Sequence, residues 1–289
     1  MNANLYGICM VKNEEDIIAF CLTHAAKYCK KIFVLDNGST DKTWERVKKL
    51  SCQNKRIIPF ERKICRYGVG LRGYVFNKVR DRFQNGDWIL ILDSDEFLEV
   101  DPMPYISYCE RRGFDMIFTY QAQFYITPLD FEKRWYKNNF KPIESFMELP
   151  SYYFINWREP RLFRYSSSLE WPDIDSNGYP SQIDYPNGLE RRSNKKIINR
   201  HYQYRSLAQM KKRLALRSDL FKTTGRFRHN QEKDFQKYIR NHKRLKKSMK
   251  DQIIKPTVFD FLRLYLIRRS NRFKMIINNR TLVQKKDLH

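Results

Sequence analysis

No stretch of about 18 consecutive apolar residues occurs in this chain, so no segment reads as a membrane-spanning helix. Glycine and proline are sparse, at 10 and 11 of 289 residues, which excludes collagen-like and mucin-like compositions. The six cysteines, Cys9, Cys21, Cys29, Cys52, Cys65 and Cys109, form no C-x-x-C pair, and none follows position 109. Met1 to Met10 show no basic stretch ahead of an apolar one, so no secretory signal is visible. The cysteines therefore read as reduced thiols, most of them small core residues, and the expected location is cytoplasmic.

Against these absences stands ample material for a core, 42% hydrophobic and 15% aromatic residues. Wholesale disorder is excluded, and the length suits one large α/β domain or a smaller domain with an appendage. The net charge of +24 is unevenly placed. Residues 1–190 are balanced, whereas residues 191–289 hold 30 Lys/Arg against 6 Asp/Glu, so the whole excess lies in the last third. This asymmetry suggests a neutral catalytic or binding body with a basic surface attached, and argues against a uniformly basic nucleic-acid binder.

The first hundred residues predict a β-α-β-α-β-α-β order. Leu5–Val11, Lys31–Leu35, Arg56–Phe60 and Asp87–Leu92 are short apolar runs, and helices are expected at about Glu14–Tyr28, from Thr40 or Asp41 to Leu50, and at about Leu71–Phe83. Strands that are apolar throughout mark a mostly parallel sheet with helices on both faces. Functional groups belong just beyond the carboxyl ends of such strands. Three polar clusters fall there: Asn13-Glu14, Asp36-Asn-Gly-Ser-Thr-Asp41 and Asp93-Ser-Asp95. Further strands are expected at Phe114–Ile126, Arg161–Tyr165 and Lys196–His201, with basic helical segments from Ser206. The aromatic stretch containing Trp135, Tyr152, Tyr153, Trp157 and Trp171 suits either a ligand wall or ordinary packing.

Asp93 and Asp95, one residue apart at the end of an apolar strand, can face one hard divalent cation and leave room for phosphate oxygens. A cation so held neutralises a departing diphosphate. The competing reading is two aspartates that simply end a strand. Asp36 can accept from a base imide or a ribose hydroxyl, or merely form an Asp-Asn-Gly turn, with Gly38 permitting the sharp bend. His201 ends an apolar strand and is the best placed of the five histidines to approach such a site.

Met10-Val-Lys-Asn-Glu-Glu15, Val34-Leu-Asp-Asn-Gly-Ser-Thr-Asp-Lys-Thr43 and Trp88-Ile-Leu-Ile-Leu-Asp-Ser-Asp-Glu-Phe97 together resemble the family 2-like glycosyltransferases of GT-A fold, in order and in spacing. The resemblance covers about the first hundred residues. It implies a GT-A-like, Rossmann-like α/β fold and a nucleotide-sugar donor, with UDP as the expected nucleotide. Asp36 would lie at the base and Asn13 and Glu14 near base or ribose. Asp93 and Asp95, with Ser94 between them, would lie around the ribose, the diphosphate and a Mn²⁺ or Mg²⁺ ion. Arg72 looks like the family's basic nucleotide contact, with Arg66 as competitor, and His201 like its late metal ligand. Arg205 is an alternative contact for diphosphate.

Inversion at an anomeric carbon requires a carboxylate to take the acceptor hydroxyl proton. Family members usually place it between the Asp-x-Asp and the late histidine. Glu159, Asp173, Asp175 and Asp184 all qualify; Asp173 and Glu159, each near a tryptophan, are preferred, Asp173 slightly. The chain then divides into a nucleotide-sugar-binding half (1–100), an acceptor-binding half of the same domain (101–204) and a basic C-terminal helical extension (205–289). The extension suits an anionic inner-membrane surface through residues 256–273, or an anionic acceptor such as a lipid diphosphate; nucleic acid is the least favoured partner. The leading expectation is a metal-dependent, inverting glycosyltransferase acting on a glycan or lipid-linked acceptor in polysaccharide biosynthesis. A nucleotidyltransferase on a similar sheet and a non-catalytic membrane- or nucleic-acid-binding protein are the alternatives.

Overall fold

The computed structural model describes residues 3–137, 141–175, 178, 180–224, 234–249 and 252–266. Strands β1 (Leu5–Val11), β2 (Lys31–Asp36), β3 (Ile57–Arg62) and β4 (Trp88–Asp93) run parallel in the order β3-β2-β1-β4. Their unbroken apolar runs follow from burial on both faces. Leu5, Cys9 and Val11 of β1 pack with helices α1 (Ile18–Ala25), α2 (Thr43–Gln53) and α4 (Met103–Arg112). The alternate residues Tyr6, Ile8 and Met10 pack with α3 (Gly70–Val79) on the opposite face. This is the expected GT-A-like α/β architecture.

Beyond β4 the sheet turns mixed. β7 (Tyr152–Arg164) lies antiparallel to β4, and β6 (Met116–Tyr125) antiparallel to β7. β8 (Ile197–His201) is parallel to β6, and the three-residue edge strand β5 (Glu96–Leu98) is antiparallel to β8. The short strand β9 (Lys246–Lys247) pairs with β7. The expected strand at Arg161–Tyr165 is thus the end of a 13-residue strand, and β5 had no counterpart in the sequence pattern because three residues carry no periodicity.

Register fixes the rim. Val11 lies opposite Asp36 and Met10 opposite Asp93, so the polar segments after β1, β2 and β4 emerge side by side. β2 and β4 flank β1 on opposite sides, which makes this rim the switch point where ligands bind in open α/β sheets.

Where a helix from Glu14 was expected, α1 starts only at Ile18. The amides of Ile17 and Ile18 both donate to Glu14 O, so the chain makes a tight turn first and leaves the Glu14 side chain at the rim. Described parts of the basic last third pack on the sheet domain. α5 (Leu207–Thr224) buries Met210 and Leu214 against Ile126, Trp135 and Tyr136, while Ile254 and Leu264 pack on the main core. Trp135, Tyr153 and Trp171 are core residues, so the packing reading holds for them. Among the described residues no helix is long and apolar enough to cross a membrane.

The first turn of α3 is clamped by the loop that carries Asp173. Gly70 N donates to Ser181 O at 3.0 Å, and a Cβ on Gly70 would stand 2.4 Å from Asp173 O and 2.5 Å from Ser181 N. Because these are backbone atoms, Gly70→Ala is expected to destabilise the fold by about 1–3 kcal/mol in urea titration. Unchanged stability would show that this loop does not seat on α3.

Candidate active site

The turn after β1 is held in place by the turn after β2. Asn13 adopts a left-handed conformation (φ 56°), one that asparagine tolerates, and its Oδ1 accepts from Thr40 N at 2.8 Å. Asn13 N donates to Ser39 Oγ and Glu14 N to Thr43 Oγ1, both at 2.9 Å. The N-cap of α2 is Lys42 and not Thr40 or Asp41 as expected, although Asp41, one residue earlier, accepts from Thr43 N at 3.0 Å. Asp36 Oδ1 accepts from Ser39 N at 2.7 Å, closing the loop over Gly38 (φ 74°). Its Oδ2 is buried and has no hydrogen-bond partner among the described residues.

A cavity of about 460 Å³ opens over this rim, its wall including Asn13, Glu14, Asp93, Ser94, Asp95 and His201. Six of the ten residues singled out from the sequence therefore meet on one surface. Asp36 and Arg72 lie just behind it: Asp36 is wholly enclosed next to Asn37, which does line the cavity, and Arg72 reaches Asp93.

Every carboxylate here is matched by a guanidinium. Asp93 accepts from Arg72 at 2.6 Å and from Arg161 at 2.8 Å. Arg161 also bonds Glu96 at 2.5 Å and Glu159 at 2.6 Å. Burial pushes the Asp93 carboxyl up, but Arg161 and Arg72 outweigh it and hold the group down at about 2. Burial dominates at Glu96, which stands raised at about 7 despite Arg161. Asp95 faces Arg213 at 3.1 Å and His201 at 3.6 Å. His201 arrives there through strand register, since β5 sets Glu96 opposite it and Tyr202 N donates to Asp95 O at 2.9 Å.

Asp95 Oδ1 and His201 Nε2 form an oxygen–nitrogen donor pair on the cavity wall, of a kind that Mn²⁺ or Mg²⁺ accepts. Asp93 does not complete a trio, because it is engaged by two arginines, and among the described residues no three His, Cys, Asp or Glu side chains converge to hold an ion. The residues fit a cation with two protein ligands whose other positions phosphate oxygens would fill.

The two preferred bases are placed differently. Asp173 sits beside α3, accepting from Asn77 at 3.2 Å and from Ile174 N at 2.6 Å. Glu159, on β7, shares Arg161 with Asp93 and accepts from Trp157 Nε1 at 2.7 Å, its side chain 36% exposed. Neither belongs to the cavity wall. Arg205 is not available to a ligand: its fully enclosed guanidinium bonds Asp16, Glu14 and Tyr202 O. Sequence reasoning missed Arg161 and, on α5, Lys212, Arg213 and Arg217, which line the cavity. The available signals were a lone arginine opening an apolar run and a basic stripe at helical spacing.

The His201 imidazole is pushed down by burial and raised more strongly by Asp95, so its pKa lies above the ordinary 6.5. A group raised on folding stabilises fully below its unfolded value and loses that contribution as pH rises through the folded one. The metal-free protein should therefore lose melting temperature as pH climbs above about 6.5, and His201→Gln should remove that component of the slope. An unchanged slope in the variant would show that His201 and Asp95 are not coupled.

Residues 8–146 match the model of a family described as "Glycosyl transferase family 2". An uncharacterized glycosyltransferase of Mycoplasma pneumoniae is 32% identical over 89 residues, which cover 30% of this chain and 28% of that protein. The crystal structure of Staphylococcus aureus TarS 1–349 aligns with a TM-score of 0.38 and 15% identity, covering 75% of this chain and 64% of that one. The mannosyltransferase PcManGT of Pyrobaculum calidifontis, in complex with GDP-Man and Mn²⁺, aligns at 0.33 and 16% identity over 47% and 39% of the two chains. Residues 8–146, just under half of the chain, carry the strand-end carboxylates Asp36, Asp93 and Asp95, and it is through this segment that the chain is similar to glycosyl transferase family 2.

Proposed function

We propose that this protein transfers a sugar, with inversion, from a nucleotide-sugar donor to a glycan or lipid-linked acceptor. The observation that carries the reading is the cavity at the sheet's switch point, with Asp95, His201, Asn13 and Glu14 together on its wall. UDP is the favoured nucleotide on the resemblance of the strand-end motifs; Asp36, whose Oδ2 is an unpartnered acceptor, lies just behind the cavity wall and would reach an imide N–H such as uracil presents only if Asn37 gave way. A divalent cation at Asp95 and His201 would neutralise charge developing on the leaving diphosphate. The remaining work falls to side chains of this chain. A carboxylate takes the acceptor hydroxyl proton as that oxygen bonds the anomeric carbon, and the sugar–phosphate bond breaks with its electrons on the diphosphate. Glu159 is the better candidate for the base, being partly exposed and tied through Arg161 to Asp93, whereas Asp173 is spent on seating a loop.

A thermal-shift panel of UDP-, GDP- and dTDP-sugars, with and without Mn²⁺, tests this reading. A Mn²⁺-dependent rise with one donor is expected, and Asp95→Ala should abolish it while leaving the fold intact. Stabilisation by nucleoside triphosphates alone, with pyrophosphate release, would establish the nucleotidyltransferase instead.

The anionic-membrane reading of residues 256–273 rests on its described part; residues 267–273 lie outside the described residues. Helical residues 258–266 bury Asp260 and turn Leu264 towards the core, yet Val258 and Phe259 are each 80% exposed and Leu262, Tyr265 and Leu266 more than half. With Lys255 and Arg263 alongside, this face matches the chemistry of an anionic bilayer surface. A Phe259→Ser/Leu262→Ser/Leu266→Ser variant should stay folded and bind donor but lose sedimentation with phosphatidylserine vesicles. Retained sedimentation would remove this face from membrane binding. The substitutions spare Ile254 and Leu264, which a truncation after Asp251 would strip from the core.

A further inference from the structure

α5 lays one stripe along the cavity: Gln209, Lys212, Arg213, Leu216 and Arg217, at three- and four-residue spacing. Arg213 is the centre of it. Its Nη1 stands 2.8 Å from Glu14 Oε1 and 3.1 Å from Asp95 Oδ2, bridging the turn after β1 and the turn after β4. Asp95 is also the carboxylate paired with His201 at 3.6 Å. It therefore faces two claims, from a guanidinium already in place and from any divalent cation that His201 helps to hold. Arg213 faces Oδ2 and His201 faces Oδ1, and Arg205 stands 3.8 Å from Oδ2, so a divalent cation would bring a third positive charge to this one carboxylate, and in a partly desolvated site that repulsion is large. Positive charge is already concentrated on this wall: burial, and then the charge of Arg213, press Arg217 down to about 10. The nearby Arg205 offers no relief, since it is enclosed and bonded throughout. Arg213, by contrast, has a side chain 20% exposed and lies open to the cavity.

We propose that Arg213 is an exchangeable counter-ion: it neutralises Asp95 in the empty site and turns to the donor's diphosphate oxygens when a divalent cation takes its place on Asp95. Lys212 and Arg217, on the same stripe, extend the same anion-binding wall. The inference rests on the nucleotide-sugar reading above and adds to it a residue with two alternating partners. It carries a signature that a purely structural residue lacks, because the two ligands respond in opposite directions when Arg213 is removed. A cation competes with Arg213 for Asp95, so its loss favours the cation. A diphosphate recruits Arg213, so its loss disfavours the nucleotide.

The test uses the full-length protein and its Arg213→Met variant, titrated by calorimetry with Mn²⁺ alone, with UDP or GDP alone in EDTA, and with uridine or guanosine. The variant should bind Mn²⁺ about threefold to tenfold more tightly, through the loss of a competing charge. It should bind the nucleoside diphosphate about tenfold more weakly, the loss expected of a charge-assisted hydrogen bond, and the nucleoside unchanged. If the methionine variant does not fold, Arg213→Gln, which keeps an N–H donor towards Glu14, should give the same opposed pair of shifts. Mn²⁺ and diphosphate affinities falling together, or diphosphate affinity standing unchanged, would overturn the proposal. If the wild-type protein itself binds no nucleoside diphosphate with or without Mn²⁺, the nucleotide-donor reading falls and this inference with it.

Discussion

The site is closed around one enclosed charge. Arg205 follows β8 by four residues, and its guanidinium is 0% exposed, yet its partners lie at the opposite end of the chain. It makes two bonds to Asp16 at 2.8 Å, a further one to Glu14 and another to Tyr202 O at 3.0 Å. Burying such a group is tolerable only when its donors are met, and stripping a partner from a buried pair costs about 3–5 kcal/mol. Arg205 therefore locks the start of α5 onto the turn between β1 and α1. Through that lock Glu14 is held still, Glu14 and Asp95 place Arg213, and the cation-bearing wall of α5 faces the strand ends.

Once that anchor is set, the acidic rim becomes bearable. Asp93, Asp95, Glu96 and Glu159 crowd around the end of β4, and unneutralised they would repel. Arg72 from α3 and Arg161 from β7 both satisfy Asp93, and Arg161 continues to Glu96 and Glu159. The result is a set of dipoles and charges oriented before any ligand arrives, the condition under which electrostatic stabilisation is most effective.

The parallel half of the fold was legible in the sequence because continuous apolar strands and three polar strand ends repeat at regular intervals, and the motif residues Asn13, Glu14, Asp93, Ser94 and Asp95 are brought together as expected. What escaped was set by long-range pairing. β5 is too short to show a period, Arg161 reads as an isolated charge in a strand, and the basic residues of α5 look like a solvated face until α5 is placed over the cavity. Arg205, on the sequence an alternative contact for diphosphate, serves the fold, because a sequence shows a guanidinium without showing how deeply it is enclosed. The choice between Glu159 and Asp173 likewise depends on loop packing against α3, which no local pattern encodes.

His201 is held from both sides. β8 runs parallel to β6, with Gln123 opposite His201, and antiparallel to β5, with Glu96 opposite it. Slipping β8 by one residue would turn the imidazole to the wrong face of the sheet, so its position is a matter of register and not of the chain that leads to it. The span from 165 to 196 between β7 and β8 takes no part in this register: its described residues seat elsewhere, Trp171 in the core against α3 and Ser181 on Gly70. In such a layout the spacing of Asp95 and His201 is set by strand pairing, and a change in the preceding loop would be felt in the core and at α3 before it reached the imidazole.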